Sequence, residues 1–175
     1  MKVSCRTEKG CCRLGGADMA LSVGQATVAD IGSLVRLRLD YLSEDFGEIT
    51  AEQEDALVAQ IAPYLRWHLG TDLQVFVARD DEAGIVACAW LLLIKKPPSP
   101  RFMHGRTGTL FNVFTVKGWR RRGIASEVMR ALIDDAKVRQ LDLLELNATE
   151  DGYPLYRTLG FRNAHEKHRA MRLWL

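Results

Sequence analysis

The sequence has few cysteines and no long apolar run, and each scarcity excludes a class of protein. It contains four cysteines, three of them within the first dozen residues and none in a C-x-x-C pair. That spacing fits neither a structural zinc site nor the disulfide framework of a secreted protein. No apolar run approaches the length of a membrane-spanning helix. We therefore expect a cytoplasmic protein that holds no metal and binds no membrane.

Length and composition are typical of one soluble globular domain. The chain has 175 residues, of which 47% are hydrophobic and 26% are charged. A chain of this length can bury a full core without disulfides. Regular alternation of apolar and polar residues begins only after Met19. We therefore divide the chain into an N-terminal extension, residues 1–18, and a single domain, residues 19–175. The extension is expected to be disordered, or to derive from an upstream start codon.

The charge is small in total but unevenly distributed. A net charge of +2 gives no bulk attraction for nucleic acid, so no nucleic-acid partner is expected. The acidic segment, residues 39–65, holds seven acidic residues and no Lys or Arg, whereas the basic segment, residues 117–122, holds four bases. Two segments of opposite sign suggest an anionic ligand at one and a cationic ligand at the other. A plain solvated surface remains an equal alternative for the acidic segment.

The spacing of apolar residues predicts a mixed α/β fold. Helical periodicity predicts helices over residues 28–42, 51–68, 124–140 and 154–159. Period-two or continuous apolar runs predict strands over residues 21–25, 73–78, 85–94, 110–116, 141–149 and from Phe161 onwards. Thr27 and Asp30 have the spacing of a helix N-cap, and Pro63 predicts a break or kink near Ala62. The order β-α-α-β-β-β-α-β-α-β-β indicates an α/β or α+β layered domain.

The most informative stretch is the turn between the strand at residues 110–116 and the helix that begins near Gly123. Such a turn directs backbone N–H groups and the positive end of the helix dipole at one place. Gly123 and the small Ala125 allow a close backbone approach, and three arginines add charge-assisted donors. This arrangement predicts a binding site for a pyrophosphate. The alternative is that Gly123 only eases the turn and that the arginines are solvated.

Two motifs in register make the chain resemble the GNAT superfamily of acyl-CoA-dependent N-acyltransferases. The first is Gln/Arg-x-x-Gly-x-Gly/Ala, present here as Arg120-Arg121-Arg122-Gly123-Ile124-Ala125. The second is a tyrosine followed by Gly-Phe, present here as Leu155-Tyr156-Arg157-Thr158-Leu159-Gly160-Phe161. The resemblance covers about residues 20–175. It implies the GNAT fold, which is a mixed, mostly antiparallel sheet flanked by helices, and it implies acetyl-CoA as the cofactor.

The resemblance also implies which residues contact coenzyme A. The pantetheine arm would pair like an added strand with Phe114, Thr115 and Val116, which requires the neighbouring strands to separate. The pyrophosphate would bind at the turn, and the residues of this predicted site are Arg120, Arg121, Arg122, Gly123, Ile124, Ala125 and Ser126. Many relatives carry an Asn seven residues before the tyrosine, where this chain has Thr149. Either Thr149 or Asn147 is therefore expected to bond a pantetheine amide.

Tyr156 is the catalytic candidate that the resemblance implies. It would protonate the departing thiolate or hold the sulfur by a hydrogen bond. A phenol with a pKa of about 10 is protonated at neutral pH and can act as an acid. The alternative is an ordinary core aromatic. No Ser-His-Asp or Cys-His arrangement has a recognisable spacing, so direct attack by the amine is expected rather than a covalent acyl-enzyme. Backbone N–H groups near Val116 would then steady the oxyanion.

The general base is left open by the sequence. Some relatives place a Glu at the position of Thr109, and residues 110–116 contain no acid. The alternatives are a water relay or one of the following side chains: Glu44, Asp45, Glu48, His104 and Glu145. The acceptor is expected over residues 28–68 and the loop at 97–108, where the acidic segment would attract a cationic amine. Four aromatic side chains are expected either to form the apolar wall of the acceptor site or to pack in the core. They are Tyr41, Phe46, Trp67 and Trp90.

These observations together predict an acetyl-CoA-dependent N-acetyltransferase. Its acceptor would be the primary amine of a small molecule or a peptide, and the resemblance is compatible with a homodimer. The principal alternative is a non-catalytic module that binds acyl-CoA and acts in regulation. A nucleotide-binding enzyme is less favoured because no Gly-x-x-x-x-Gly-Lys-Ser/Thr motif is present. A nucleic-acid-binding protein is least favoured because the basic segment is short.

Overall fold

The computed structural model describes residues 12–13, 21–164, 171 and 173–174. These residues contain a six-stranded sheet and four α-helices. The strands are β1 (Cys12–Arg13), β2 (Leu21–Gln25), β3 (Leu73–Asp80), β4 (Gly84–Lys95), β5 (Arg106–Thr115) and β6 (Leu143–Glu145). The helices are α1 (Ile31–Phe46), α2 (Ala51–His68), α3 (Ile124–Val138) and α4 (Tyr153–Thr158).

The strands lie in the sheet in the same order as in the sequence, β1-β2-β3-β4-β5-β6. Neighbouring strands pair antiparallel, except that β5 and β6 are parallel and are connected through α3. The predicted mixed, mostly antiparallel sheet flanked by helices is therefore confirmed. Within the predicted N-terminal extension, Cys12 pairs with Val23 of β2. The rest of the extension lies outside the described residues.

The core has two layers because helices cover both faces of the sheet. α3 packs on one face through the apolar stripe that the sequence predicted, with Val128, Met129 and Leu132 at most 1% exposed. α1 packs on the opposite face, where Leu34 and Leu37 are fully buried. Burying such a side chain contributes about 1.5–3 kcal/mol, so these faces fix how the helices sit on the sheet.

The structure differs from the predictions in both helices and strands. A 3₁₀ turn at Val28–Asp30 precedes α1, which continues to Phe46 instead of ending near residue 42. α2 has the predicted bounds, but it runs through Pro63 without the expected break. The lost hydrogen bond is tolerated because Ala59, whose carbonyl would have accepted it, is exposed and can bond water.

The predicted strand at residues 141–149 is also wrong in length, since β6 covers only Leu143–Glu145. The strand predicted from Phe161 onwards does not begin there, because residues 161–164 have no regular secondary structure. Apart from residues 171 and 173–174, the remainder of that predicted strand lies outside the described residues. The short β6 has a direct consequence for the site, since most of β5 then has no strand partner on that side among the described residues.

Asp30 joins the start of α1 to the sheet. Its carboxylate accepts a hydrogen bond from the Thr27 backbone N–H at 2.7 Å, as the N-cap spacing predicted. It also accepts from both terminal nitrogens of Arg79 on β3, at 2.6 and 2.8 Å. The hydrogen bond from Arg79 is the main reason that the pKa of Asp30 is lowered from 3.8 to about 2.

Replacing Asp30 by asparagine is expected to lower the melting temperature at pH 7. The folded-state pKa is depressed, so the carboxylate's contribution is present above pH 4 and is lost as the pH falls through about 2. The melting temperatures of wild type and D30N should therefore converge between pH 4 and 2 in thermal melts. Asp134→Asn is the matched control, because Asp134 forms a 71%-exposed ion pair with Lys137 and should have little effect at any pH. A D30N deficit that does not change with pH would show that the ion pair does not account for it.

Candidate active site

β5 and β6 separate along their length. They pair only where Thr107, Gly108 and Thr109 face Leu143–Glu145, and β5 then continues to Thr115. The register between β4 and β5 also shifts between Cys88 and Trp90, which marks a β-bulge. The separation that the predicted pantetheine pairing requires is therefore present in the structure.

The bulge is centred on Asn112, which has a left-handed φ of 49° and is 2% exposed. Asn tolerates this backbone better than most residues. Its side chain accepts a hydrogen bond from Arg38 Nη1 at 3.1 Å and donates to Cys88 Sγ at 3.5 Å. Burial lowers the pKa of Arg38 and raises the pKa of the Cys88 thiol to about 12. Cys88 is thus a neutral buried residue, as predicted, and Asn112 is a residue of the bulge that the sequence analysis missed.

The backbone N–H and C=O groups of successive β5 residues point alternately towards β4 and towards the opposite edge. Val116 N–H donates to the Val86 carbonyl at 3.0 Å, so the backbone groups of Val116 and Phe114 point towards β4. Those of Thr115 point the opposite way, and its carbonyl accepts a hydrogen bond from Arg120 Nε at 2.7 Å. Of the three residues expected to pair with pantetheine, Thr115 is the one whose backbone faces the open edge.

A cavity of about 810 Å³ occupies the space between the end of β5, the start of α3 and α4. We call it the cleft. The predicted cofactor and catalytic residues that line it are Phe114, Thr115, Arg120, Arg121, Gly123, Ile124, Ala125, Ser126, Thr149 and Tyr156. The predicted Val116, Arg122 and Asn147 are not among its lining residues. The lining residues that the sequence analysis missed include Val113, Trp119, Asp151, Gly152 and Leu155. They carry no motif of their own and are placed by the fold.

The N-terminus of α3 opens onto the cleft. The first intrahelical bond runs from Glu127 N–H to the Gly123 carbonyl, so the N–H groups of Ile124, Ala125 and Ser126 have no acceptor within the helix. Gly123 has a φ of 78°, and a Cβ atom placed there would meet nothing within 4 Å. Glycine is therefore needed for its backbone conformation, and the space beside it is open to a ligand.

The three arginines of the turn have different environments. Arg121 lines the cleft and is exposed. Arg122 lies over the ring of Trp119, 5.2 Å from its centroid. Arg120 lies over Phe114 at 5.4 Å and donates from Nη2 to both carboxylate oxygens of Glu44, at 2.8 and 2.7 Å. The motif thus supplies a single arginine, Arg121, that lines the cleft and is not held by Glu44 or stacked on Trp119.

The acidic and basic segments meet at the cleft. Glu44 lies near the end of α1, and in its ion pair with Arg120 each of the two side chains is about one-third exposed. Asp45 and Tyr41 also line the cleft, and the Tyr41 hydroxyl donates to Asp45 at 3.3 Å. Burial, together with the charge of Asp45, raises the pKa of Tyr41. The prediction of two separate charged regions is thereby revised to one cleft with cations on one wall and carboxylates on the other.

Tyr156, on α4, lines the cleft. Its ring packs edge-on against Phe161, with the ring centroids 5.9 Å apart. Among the described residues its hydroxyl has no hydrogen-bond partner, and burial raises the pKa of Tyr156 to about 12. Gly152 allows this packing, because a Cβ atom there would lie 3.0 Å from Tyr156 Cε2 and 3.1 Å from Thr149 Oγ1. Thr149 Oγ1 accepts from Gly152 N–H, which leaves its own proton for another partner.

Three candidate bases lie away from the cleft lining. The imidazole and backbone N–H of His104 bind Asp142, at 2.8 Å from Nδ1 and 3.1 Å from the backbone nitrogen, which ties its loop to the start of β6. Glu145 accepts from Thr109 where β5 and β6 still pair. Glu48 lies beyond the end of α1 and is exposed. Of the proposed carboxylates, Glu44 and Asp45 are the ones that the fold brings to the cleft.

Three of the four aromatic side chains expected at the acceptor wall are also elsewhere. Trp90 is 2% exposed and packs against Phe111 at 5.6 Å, so it belongs to the core. Phe46 and Trp67 are 78% and 79% exposed on the surfaces of their helices. Tyr41 lines the cleft, because it lies one helical turn from Asp45 on the face of α1 that meets β5.

The described ranges contain neither a cluster of metal-binding side chains nor a helix that could span a membrane. No group of three or more His, Cys, Asp or Glu side chains there could hold a metal ion. No helix in the same part of the chain has the length and apolar character needed to cross a membrane. The cleft is where most of the predicted cofactor and catalytic residues meet.

Known proteins share this fold. The chain is similar to a predicted acetyltransferase from Clostridium acetobutylicum solved with acetyl-CoA, with 26% identity and a TM-score of 0.73 over 86% of this chain and 96% of that one. A GCN5-related N-acetyltransferase from Ralstonia eutropha has 22% identity and a TM-score of 0.71 over 86% of this chain and 98% of that one. Glucosamine-6-phosphate N-acetyltransferase from Arabidopsis thaliana has 19% identity and a TM-score of 0.59, over 86% and 97%.

The last two similarities show the fold alone, and no curated protein sequence matches the chain. The model of the acetyltransferase (GNAT) family matches residues 35–161, which is well over half of the sequence. Together with the cleft, the open edge of β5 and the tyrosine of α4, this match shows that the chain belongs to the GNAT family of acetyltransferases, which use acetyl-CoA.

Proposed function

We propose that the protein transfers an acetyl group from acetyl-CoA to a primary amine, and that the cleft is where it does so. One observation carries the proposal. An open strand edge at Thr115, a helix N-terminus whose first N–H groups have no acceptor within the helix, and a partly buried phenol at Tyr156 all border the same cavity. These are the three groups that a thioester of coenzyme A requires, one for its amide arm, one for its diphosphate and one for its sulfur.

The residues of the cleft fit coenzyme A in chemical type. The backbone of Thr115 and the hydroxyl of Thr149 would bond the amides of the pantetheine arm. The N–H groups at the start of α3 would bind the diphosphate, since a helix N-terminus favours an anion both by its donors and by its dipole. The side chain of Arg121 lies at the same place and adds a charge-assisted donor.

Acetyl-CoA supplies an acetyl group already activated as a thioester, which the amine attacks directly. Tyr156 is the proposed acid, because a pKa of about 12 keeps its proton in place at neutral pH until a developing thiolate can take it. The carboxylates of Glu44 and Asp45 would attract a protonated acceptor amine to the cleft. Either carboxylate or a water would then take the proton that the amine must lose, and neither the acceptor nor the base is assigned further.

A panel of amines tests this proposal against its main alternative, a regulatory module that binds acyl-CoA without turnover. The panel contains aminoglycosides, polyamines, free amino acids and peptides with a free N-terminus or lysine. Thiol release from acetyl-CoA is expected with one class of amine and should be matched by an N-acetylated product in mass spectrometry. The intact protein should not gain an acetyl group. Cofactor binding without turnover on any amine would favour the regulatory module.

A further inference from the structure

Arg120 lines the cleft and crosses the open edge of β5. Its Nε atom donates to the Thr115 carbonyl at 2.7 Å, and its Nη2 atom donates to both oxygens of Glu44. Its guanidinium also lies 5.4 Å from the centroid of the Phe114 ring. Three contacts from two elements, α1 and β5, therefore hold one exposed arginine in a single position.

Arg120 donates to the Thr115 carbonyl, and this carbonyl is the acceptor that an added strand would use at the open edge. Val116 N–H is already bonded to β4, and the alternation of the strand leaves Thr115 as the residue whose backbone faces the open edge near the turn. A ligand strand would need the Thr115 carbonyl as its acceptor. A pantetheine arm and the Arg120 side chain would compete for that position along β5.

We propose that Glu44 is a positioning residue that lowers the affinity for acetyl-CoA, because it holds Arg120 over the Thr115 carbonyl in competition with the pantetheine arm. This inference rests on the proposed seating of the cofactor in the cleft. Without Glu44, Arg120 keeps a single neutral acceptor, and the side-chain entropy of an arginine then favours its departure. The diphosphate at the start of α3 gives the released guanidinium a new anionic partner.

Three variants separate this competition from a simple charge effect. Glu44→Ala removes the contact and the charge. Glu44→Asp keeps the charge but shortens the side chain by one methylene, which is enough to break a hydrogen bond of 2.7 Å. Asp45→Asn removes a charge from the same wall of the cleft but leaves the pair of Glu44 and Arg120 intact.

The measurement is the dissociation constant of coenzyme A for each variant, by calorimetry, with melting temperatures as a check on folding. An exposed ion pair contributes up to about 1 kcal/mol, so E44A and E44D should each bind coenzyme A about three- to fivefold more tightly. D45N should remain within about twofold of wild type. A gain in affinity is an effect that a merely structural role of Glu44 would not produce.

Two results would overturn the inference. If E44A and D45N tighten binding equally and E44D does not, the effect is general repulsion between carboxylates and a polyanion. If E44A and E44D bind no more tightly than wild type, Arg120 does not compete for the Thr115 carbonyl. Both results assume that the wild type binds coenzyme A. A wild type that shows no binding would instead refute the proposed function, and this inference with it.

Discussion

Gly123→Val is expected to weaken acetyl-CoA binding by at least about tenfold. The residue has a φ of 78°, and its missing Cβ faces open space beside the unpaired N–H groups of α3. A valine there would strain the backbone, because a left-handed conformation costs a β-branched residue about 1–2 kcal/mol or more. It would also place two methyl groups where the diphosphate must approach. Calorimetric titration with acetyl-CoA measures the loss.

Gly84 provides a matched control for this substitution. It has a φ of 73°, a Cβ there would also meet nothing within 4 Å, and it lies at the turn between β3 and β4 rather than in the cleft. G84V should lower the melting temperature about as much as G123V while leaving the affinity for acetyl-CoA unchanged. If G123V retains wild-type affinity, the turn is structural only and the diphosphate binds elsewhere.

Tyr156→Phe is expected to lower the turnover number by about 10²-fold or more, which is the usual contribution of a general acid. The affinity for acetyl-CoA should change by less than about threefold, because the ring and its contact with Phe161 remain. Steady-state rates with an accepted amine, combined with calorimetry, separate the two effects. Equal turnover in wild type and Y156F would make Tyr156 an ordinary wall residue.

Tyr153→Phe is the control for this loss. Tyr153 lies on the same short helix, and its hydroxyl donates to Asn163 at 3.0 Å rather than facing the cleft. Removing that hydroxyl should leave turnover within about twofold of wild type. The pH profile gives a second check. Burial raises the pKa of Tyr156 to about 12, so ionisation of this group should not reduce the rate below about pH 11.

The sequence predicts those parts of the fold that depend on local patterns. α2 has the predicted bounds because Thr50 and Gln53 form a capping box at its start, with hydrogen bonds of 3.0 and 3.3 Å, and a helical pattern follows. α3 follows from its apolar stripe, which needs only one face to be buried. The turn before α3 follows from Gly123, since few other residues adopt its backbone conformation readily.

The sequence does not predict features that depend on contacts between distant segments. The pair of Arg120 and Glu44 joins residues 76 positions apart. The short pairing of β6 with β5 and the bulge at Asn112, which bonds Arg38, also join segments that lie far apart in the sequence. Trp90 looks like a candidate for the acceptor wall in the sequence, but the sheet directs it into the core. An Asn inside a run of strand-forming residues was a signal for the bulge that could have been used.

A thermal-shift titration of the wild-type protein with acetyl-CoA, CoA, ATP and NAD is the first measurement to make. At about one hundred times its dissociation constant, a ligand that binds only the folded state adds about 2.7 kcal/mol of stability, which raises the melting temperature measurably. We expect a rise with acetyl-CoA and with CoA, and none with ATP or NAD. No rise with either form of coenzyme A would mean that the cleft does not bind it.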